Sequence, residues 1–174
     1  MKKLLVSFLI LGVLFFTPVT CNALEIKADK FSVDIENILL IRTINVVSDN
    51  YIYLETWDNK TITFTTDDLN TVSSIRETVL KMPKDVSAID ENISDRWLAN
   101  IAVNTTKERL LFKDALPGKK GVVFGVHYFA SGNNWIHAVY IRNGRLYCAE
   151  IMNKDSSVGL KDYATKLIND MYPR

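Results

Sequence analysis

Cysteine and histidine are scarce in this sequence, which limits the chemistry available to it. The chain of 174 residues has two cysteines, Cys21 and Cys148, and two histidines, His127 and His137. A disulfide-stabilised scaffold is excluded, because such domains are short and rich in cysteine. Closely spaced zinc ligands, as in H-E-x-x-H, are also absent. Any thiol or imidazole chemistry must therefore use these few residues.

The chain also lacks a surplus of charge of either sign. It carries 21 Lys and Arg against 20 Asp and Glu, and its longest basic run beyond the N-terminus is Lys119-Lys120. Nucleic acids and anionic membranes are bound by clustered basic residues. The composition therefore predicts no nucleic-acid partner. We also expect no cofactor, because the sequence contains no phosphate-binding or specific metal-binding motif.

The N-terminal segment has the order of residues typical of a secretory signal peptide. Lys2-Lys3 precede the apolar run from Leu4 to Phe16, and Cys21-Asn22-Ala23 supply small residues for cleavage. The run is shorter than the roughly 20 residues that cross a bilayer, so a removed leader is favoured over a retained anchor. We predict residues 1–23 as the leader and residues 24–174 as an exported, periplasmic or extracellular chain without a membrane anchor.

A lipid-modified Cys21 is the alternative fate of this leader. The preceding residues, Pro18-Val19-Thr20, are bulkier than the small residues typical before a lipidated cysteine, so leader removal is favoured. Cys148 would then be alone in an oxidising compartment. An unpaired thiol there must be buried, be reactive or pair with another chain.

The hydrophobic patterns of residues 24–174 predict one α+β domain, since the length is typical of a single domain. Strand-forming residues and turn residues alternate in the first part, which predicts an antiparallel meander. The predicted strands there are Ile38–Val47, Tyr51–Trp57 and Thr61–Thr65, with Glu25–Ile35 as an added edge strand. Three more strands are predicted near the C-terminus, namely Gly121–Phe129, Trp135–Arg142 and Arg145–Met152.

Helices are predicted between the two groups of strands and at the end of the chain. Apolar residues recur at helical spacing from Leu69 to Met82 after a capping segment Thr66-Asp67-Asp68, and Ser94 can cap a helix bearing Trp97. Thr105 and Glu108 have capping-box spacing, which predicts a helix to about Leu116, and Leu160 to Met171 form a last apolar stripe. Strands and helices that segregate in this way favour a mostly antiparallel sheet.

Asn143-Gly144 is the strongest turn signal in the chain, because both residues tolerate the positive φ of a type I′ hairpin. This turn sets Val139 opposite Cys148 and His137 opposite Glu150. Alternation then puts one apolar set on each face of the hairpin. The first set is His137, Val139, Ile141, Leu146, Cys148 and Glu150, and the second is Ile136, Ala138, Tyr140, Tyr147, Ala149 and Ile151. We therefore expect a central hairpin covered on both sides.

The candidate catalytic residues are His137, Glu150 and Cys148. Opposed and diagonal strand residues lie within reach of each other, so Glu150 can accept a hydrogen bond from His137 while Cys148 lies near the same imidazole. A carboxylate-held imidazole can activate a thiol, as a small hydrolase would require. The alternative is structural: His137 and Glu150 satisfy each other, and Cys148 is a buried packing residue.

Residues Asn133 to Ile151 resemble in part the histidine-bearing and acidic strands of papain-like thiol amidases. Those enzymes take their cysteine from a helix start upstream of the histidine, and residues 24–136 contain no cysteine. The family is therefore not assigned. A strand cysteine would also lack the helix-start amides that commonly form an oxyanion hole.

His127 joins His137 only if the turn before Trp135 has three residues, since a two- or four-residue loop puts the two histidines on opposite faces. A zinc site from His127, His137 and Glu150 depends on that condition. The loop Ala130 to Trp135 is a candidate recognition surface, because it combines small polar groups with a tryptophan. Its alternative role is an ordinary strand connection.

The sequence favours a non-catalytic exported binding protein, such as an inhibitor, an immunity-like protein or an envelope accessory factor. This hypothesis depends on the absence of a specific catalytic motif and on a domain size that suits protein recognition. The predicted partner is another protein. The alternative is a small hydrolase that uses His137, Glu150 and Cys148.

Overall fold

The computed structural model describes residues 23–36, 40–69, 75–82, 93–154 and 159–174. A seven-stranded sheet in which all neighbouring strands are antiparallel forms its centre. Its order is β3-β4-β5-β9-β8-β7-β6. The strands are β3 (Ile41–Ser48), β4 (Tyr51–Thr56), β5 (Thr61–Asp68), β6 (Glu108–Ala115), β7 (Gly121–Tyr128), β8 (Asn133–Arg142) and β9 (Arg145–Asn153). The predicted α+β class with a mostly antiparallel sheet is confirmed.

Two meanders make up this sheet, and both predicted groups of strands are present. The first meander is β3-β4-β5 and the second is β6-β7-β8-β9. Pairing between β5 and β9 joins them, with Thr63 opposite Glu150 and Thr65 opposite Cys148. This long-range pairing brings the predicted site next to the first meander.

A smaller sheet of three strands lies beside the large one. It consists of β1 (Leu24–Lys27), β2 (Phe31–Ile35) and β10 (Met171–Pro173), in the order β1-β2-β10. The single edge strand predicted over Glu25–Ile35 was wrong, because the chain turns at residues 28–30 and pairs back on itself. Met171 was predicted on the last helix, but it is buried in β10 opposite Val33.

The described helices are short and lie on opposite sides of the large sheet. They are the π-helix Ile75–Val79, α1 (Ile93–Asn100) and α2 (Leu160–Asn169). The helices predicted around Trp97 and from Leu160 are confirmed by α1 and α2, but Ser94 lies inside α1 and does not cap it. Part of the helix predicted from Leu69 to Met82 lies outside the described residues. Of its described part, only Ile75–Val79 is helical, as a π-helix, whereas Leu69 and Leu80 to Met82 are not. Within the described ranges, no helix is long and apolar enough to cross a bilayer.

Residues predicted to cap the first helix belong instead to strand β5. Thr66, Asp67 and Asp68 pair with β9, and the Thr66 hydroxyl accepts a hydrogen bond from Arg145 Nε at 3.2 Å. Polar residues can cap a helix or end a strand, and local pattern alone does not separate the two. Pairing with β9 satisfies their backbone groups and decides the outcome.

The helix predicted from Thr105 to Leu116 was also wrong, since this segment is a turn followed by strand β6. Glu108 accepts from the backbone N–H of Asn104 at 3.1 Å, whereas the predicted capping box required the N–H of Thr105. The chain then leaves helical geometry, because Glu108–Ala115 pairs along the full length of β7. The second meander therefore has four strands rather than three.

The two faces of the large sheet differ in how they are covered. We call the face that bears Ile136, Ala138 and Tyr147 the packed face, because α2 and the small sheet cover it. We call the opposite face, which bears His137, Cys148 and Glu150, the cleft face. On this side, α1 packs on β6 and β7, and the described helices leave β4, β5 and β9 less covered.

Candidate functional site

The hairpin that carries the candidate residues has the predicted geometry. Asn143 and Gly144 have φ angles of 50° and 71°, as a type I′ turn requires. The register sets His137 opposite Glu150 and Val139 opposite Cys148, so the predicted strand pairing is confirmed. Strands β8 and β9 lie between β7 and β5, so the hairpin is central in the sheet as predicted. Apolar side chains lie on both of its faces, but on the cleft face the described helices leave β9 less covered than the prediction required.

A row of side chains crosses the cleft face through four neighbouring strands. Strand register aligns Thr63 on β5 with Glu150 on β9, then with His137 on β8 and Phe124 on β7. Because the residues occupy opposed positions, their side chains emerge on the same face. The row therefore brings residues from distant parts of the chain together in one polar and aromatic site.

His137 is held by an acceptor and by two aromatic rings. Its Nδ1 lies 3.1 Å from Glu150 Oε1. The imidazole stacks on Phe124 at a centroid distance of 4.8 Å, and it stacks with Trp135 at 6.2 Å. These contacts fix the plane of the ring, and the side chain is almost fully buried.

Glu150 is the centre of the cluster because it accepts hydrogen bonds from three side chains. Thr63 Oγ1 donates to Glu150 Oε2 at 3.1 Å, while His137 Nδ1 and Cys148 Sγ approach Oε1. Burial raises the pKa of Glu150, but the hydrogen bonds from His137 and Thr63 outweigh burial and hold the pKa below its usual value. Glu150 is therefore a carboxylate at neutral pH, and His137 Nδ1 donates to it.

Cys148 is buried beneath the cleft face with 2% of its surface exposed. Its Sγ lies 3.9 Å from Glu150 Oε1, so the thiol donates to the carboxylate. Burial raises the pKa of Cys148, and the negative charge of Glu150 raises it further. Reactive cysteines need an electropositive and accessible environment, and this environment is the opposite.

Two cavities border the cluster on the cleft face, and Ile75 and Glu150 line both. One of about 310 Å³ lies on the Cys148 side. Its described lining is Asn50, Tyr51, Thr65, Asp67, Ile75, Leu146, Cys148 and Glu150. The other, about 580 Å³, lies on the Trp135 side, with Ile75, Thr78, Val79, Tyr128, Ala130, Ser131, Trp135, His137 and Glu150 in its described lining.

His127 does not join the cluster. Tyr128 pairs with Asn133, so the connecting loop has the four residues 129–132 and the two histidines lie on opposite faces. His127 Nδ1 instead lies 2.8 Å from Asn134 Oδ1. The conditional zinc site from His127, His137 and Glu150 is therefore excluded.

The structure adds residues that sequence reasoning did not assign to the site. Thr63 and Tyr51 come from the first meander, and Phe124 comes from β7. The alternating threonines of β5 were visible in the sequence, but nothing local indicates that β5 pairs with β9. Ala130, Ser131 and Trp135 of the predicted recognition loop do line the larger cavity, although their role stays a prediction.

No protein-family model matches this chain, and no curated protein matches it. The solution structure of cyanobacterial PsbP (CyanoP) from Synechocystis sp. PCC 6803 is similar at 7% identity, with a TM-score of 0.48 over 91% of this chain and 96% of that chain. The crystal structure of the Saccharomyces cerevisiae Ran-binding protein Mog1p is similar at 10% identity, with a TM-score of 0.46 over 87% of this chain and 95% of that chain. Likeness at this level assigns neither a family nor a function.

Proposed function

We propose that the chain is an exported, non-catalytic binding protein that recognises another protein through the cleft face. The main observation that supports this proposal is the environment of Cys148. This thiol is buried and donates to an anionic carboxylate, so nucleophilic catalysis is disfavoured at the one place where the sequence suggested it. The side chains around it form a recessed surface that suits recognition.

The lining of the cleft suits a protein side chain that donates hydrogen bonds. Tyr51, Tyr128 and Trp135 supply aromatic surface, which is enriched where proteins meet. Glu150 and Asp67 supply acceptors in the cleft lining. A partner residue with an amide, a hydroxyl or a basic group would match these acceptors, and its apolar part would contact the aromatic rings.

The test is a site-specific photocrosslinker placed in the cleft of the protein in its native host. Thr78 is an exposed cleft residue, and Leu40 is an exposed control that lies outside the cavity linings. We expect one partner to be crosslinked from position 78, to be absent from position 40 and to be lost with Trp135→Ala. Equal crosslinking from both positions would refute recognition through the cleft.

Export is the second part of this proposal and is tested separately. Protein recovered from the envelope or the medium of its host is expected to begin at Leu24 and to carry no lipid. Intact mass and N-terminal sequencing measure this directly. A diacylglyceryl adduct on Cys21, or recovery of the uncleaved chain from the cytoplasm, would contradict it.

A small hydrolase is the second candidate, because His137, Glu150 and Cys148 do meet beside the two cavities. The hydrolase requires an ionised thiol at neutral pH and loss of function in both Cys148→Ala and His137→Ala variants that still fold. The binding protein requires slow labelling of the native thiol and retained partner binding in Cys148→Ala. These outcomes exclude one another.

A further inference from the structure

The geometry points to a zinc site formed by His137, Cys148 and Glu150, with its open position toward the cleft. One ligand atom from each of these residues lies within 4.8 Å of the other two. Imidazole, thiolate and carboxylate are the ligands that Zn²⁺ takes in proteins. This site goes beyond the proposed binding function and does not depend on it.

Two of the three distances between the ligand atoms are close to those of a tetrahedral shell. With zinc bonds near 2.1 Å to nitrogen and oxygen and 2.3 Å to sulfur, neighbouring ligand atoms lie about 3.3–3.7 Å apart. Here His137 Nδ1 lies 3.1 Å from Glu150 Oε1, and Cys148 Sγ lies 3.9 Å from the same oxygen. Both separations are within about 0.5 Å of the tetrahedral range. The third separation, between His137 and Cys148, is up to 4.8 Å, so binding requires these two side chains to approach each other by about 1 Å.

The surroundings provide the outer contacts that metal ligands require. Thr63 Oγ1 donates to Glu150 Oε2, which orients the carboxylate and leaves Oε1 to bind the ion. Phe124 and Trp135 hold the imidazole plane of His137. Three protein ligands leave a fourth position for water or a partner group, and both cavities reach Glu150.

Zinc binding would also give the free, buried thiol of Cys148 a role. On binding, the thiol proton passes to solvent and the sulfur becomes a thiolate ligand, while His137 binds through Nδ1 with its proton on Nε2. Glu150 binds as a carboxylate, so one thiolate and one carboxylate balance the charge of the ion. No oxidant or reductant takes part.

Cobalt(II) is the spectroscopic probe for this site, because it substitutes for zinc and reports thiolate coordination. The purified protein is treated with a chelator and then titrated with Co²⁺. We expect one equivalent to bind, with a sulfur-to-cobalt charge-transfer band and the strong visible bands of tetrahedral geometry. Added Zn²⁺ should displace the cobalt, and Ca²⁺ should not, since it takes oxygen ligands.

Four variants separate this site from adventitious binding. Cys148→Ala is expected to lose the charge-transfer band, and His137→Gln to lose tight binding, while His127→Ala on the opposite face keeps both. Thr63→Val is expected to weaken zinc binding about 10- to 100-fold through loss of the outer contact. Circular dichroism checks that each variant folds.

Absence of the charge-transfer band in the wild-type protein would overturn the site. Equal loss of binding in His127→Ala and His137→Gln would also overturn it. If Cys148→Ala fails to fold, Glu150→Gln takes its place, with weaker binding and altered visible bands expected. Neither result bears on partner capture by the cleft, so the zinc site and the proposed function fail independently.

Discussion

The same strands form both faces of the large sheet, but the side chains on the two faces have different surroundings. On the packed face, Ile136, Ala138 and Tyr147 are almost completely buried against α2 and the small sheet. On the cleft face, the same hairpin presents His137, Cys148 and Glu150 beside two cavities. Because side chains alternate along a strand, one apolar segment can serve a core and a site at once.

Burial has opposite consequences on the two faces. Apolar side chains on the packed face gain stability in proportion to the surface they bury. Polar side chains on the cleft face are buried only because they satisfy one another, as His137, Thr63 and Glu150 do. We therefore expect the packed face to dominate stability and the cleft face to dominate pH dependence and binding.

The largest effect is expected on the packed face. Leu167→Ala should lower the free energy of unfolding by roughly 2–5 kcal/mol, because Leu167 is 4% exposed in the core under α2. Urea denaturation measures the change. Leu40→Ala is the matched control, since Leu40 is 55% exposed and its truncation should change stability by less than about 0.5 kcal/mol. Similar losses in both variants would mean that α2 does not seal this face.

A smaller, pH-dependent effect is expected from Glu150 on the cleft face. Glu150→Gln should cost about 1–3 kcal/mol at pH 7, because a buried carboxylate that accepts several hydrogen bonds is replaced by an amide. Because the pKa of Glu150 is lowered in the folded state, its ionisation stabilises the fold at pH values above its ordinary pKa of 4.5. This contribution is lost as the pH falls through the lowered pKa. The difference between wild type and variant should therefore shrink below pH 4.5.

Chemical denaturation across pH in the presence of a chelator measures this prediction. Glu25→Gln is the control, because the exposed Glu25 pairs only with Lys27 at the surface among the ion pairs of the described residues. Its variant should show a much smaller change. A difference for Glu150→Gln that stays constant from pH 7 to pH 3 would refute the assigned ionisation.

Substitution of Cys148 tests whether side-chain packing on the cleft face also contributes to stability. Cys148→Ala should cost about 1 kcal/mol, because a small buried side chain is truncated. The native thiol should react slowly with a thiol reagent at neutral pH and quickly in denaturant, since burial raises its pKa and blocks access. Rapid labelling of the folded protein would support the hydrolase instead.

The smallest effect on stability is expected at the rim of the cleft. Thr78 is exposed and lines the larger cavity, so Thr78→Ala should change stability by less than about 0.5 kcal/mol. Thr66→Ala is the matched control, because Thr66 is fully buried and accepts from Arg145, and its loss should cost about 1–3 kcal/mol. In thermal denaturation, we expect Thr66→Ala to lower the melting temperature more than Thr78→Ala does. The opposite order would show that the rim is part of the core.

Strand β6 shows where prediction from sequence failed and why. Thr105 and Glu108 have the spacing of a helix start, and Glu108 does accept from a backbone amide there. Local interactions of this kind stabilise by a small amount, whereas pairing with β7 satisfies the backbone groups of Glu108–Ala115 that face the sheet. The same competition explains why Thr66-Asp67-Asp68 belong to β5 and do not cap a helix.

The candidate site was predictable in part. Asn143-Gly144 set the register, so the approach of His137 to Glu150 followed from the sequence. The roles of Thr63 and Phe124 did not, because each lies on a strand whose partner is chosen by contacts distant in sequence. The separation of His127 from His137 depended on a loop length that the sequence left open.

The α+β class, the central hairpin, its register and the division of its side chains between two faces could be read from the sequence. These properties follow from alternation along a strand and from a turn that requires positive φ, and both are local. Long-range packing places β5 beside β9, brings Thr63 to Glu150 and buries Cys148 next to that carboxylate. Strand order and burial depend on long-range packing, because each strand can pair with several others until the whole sheet is assembled.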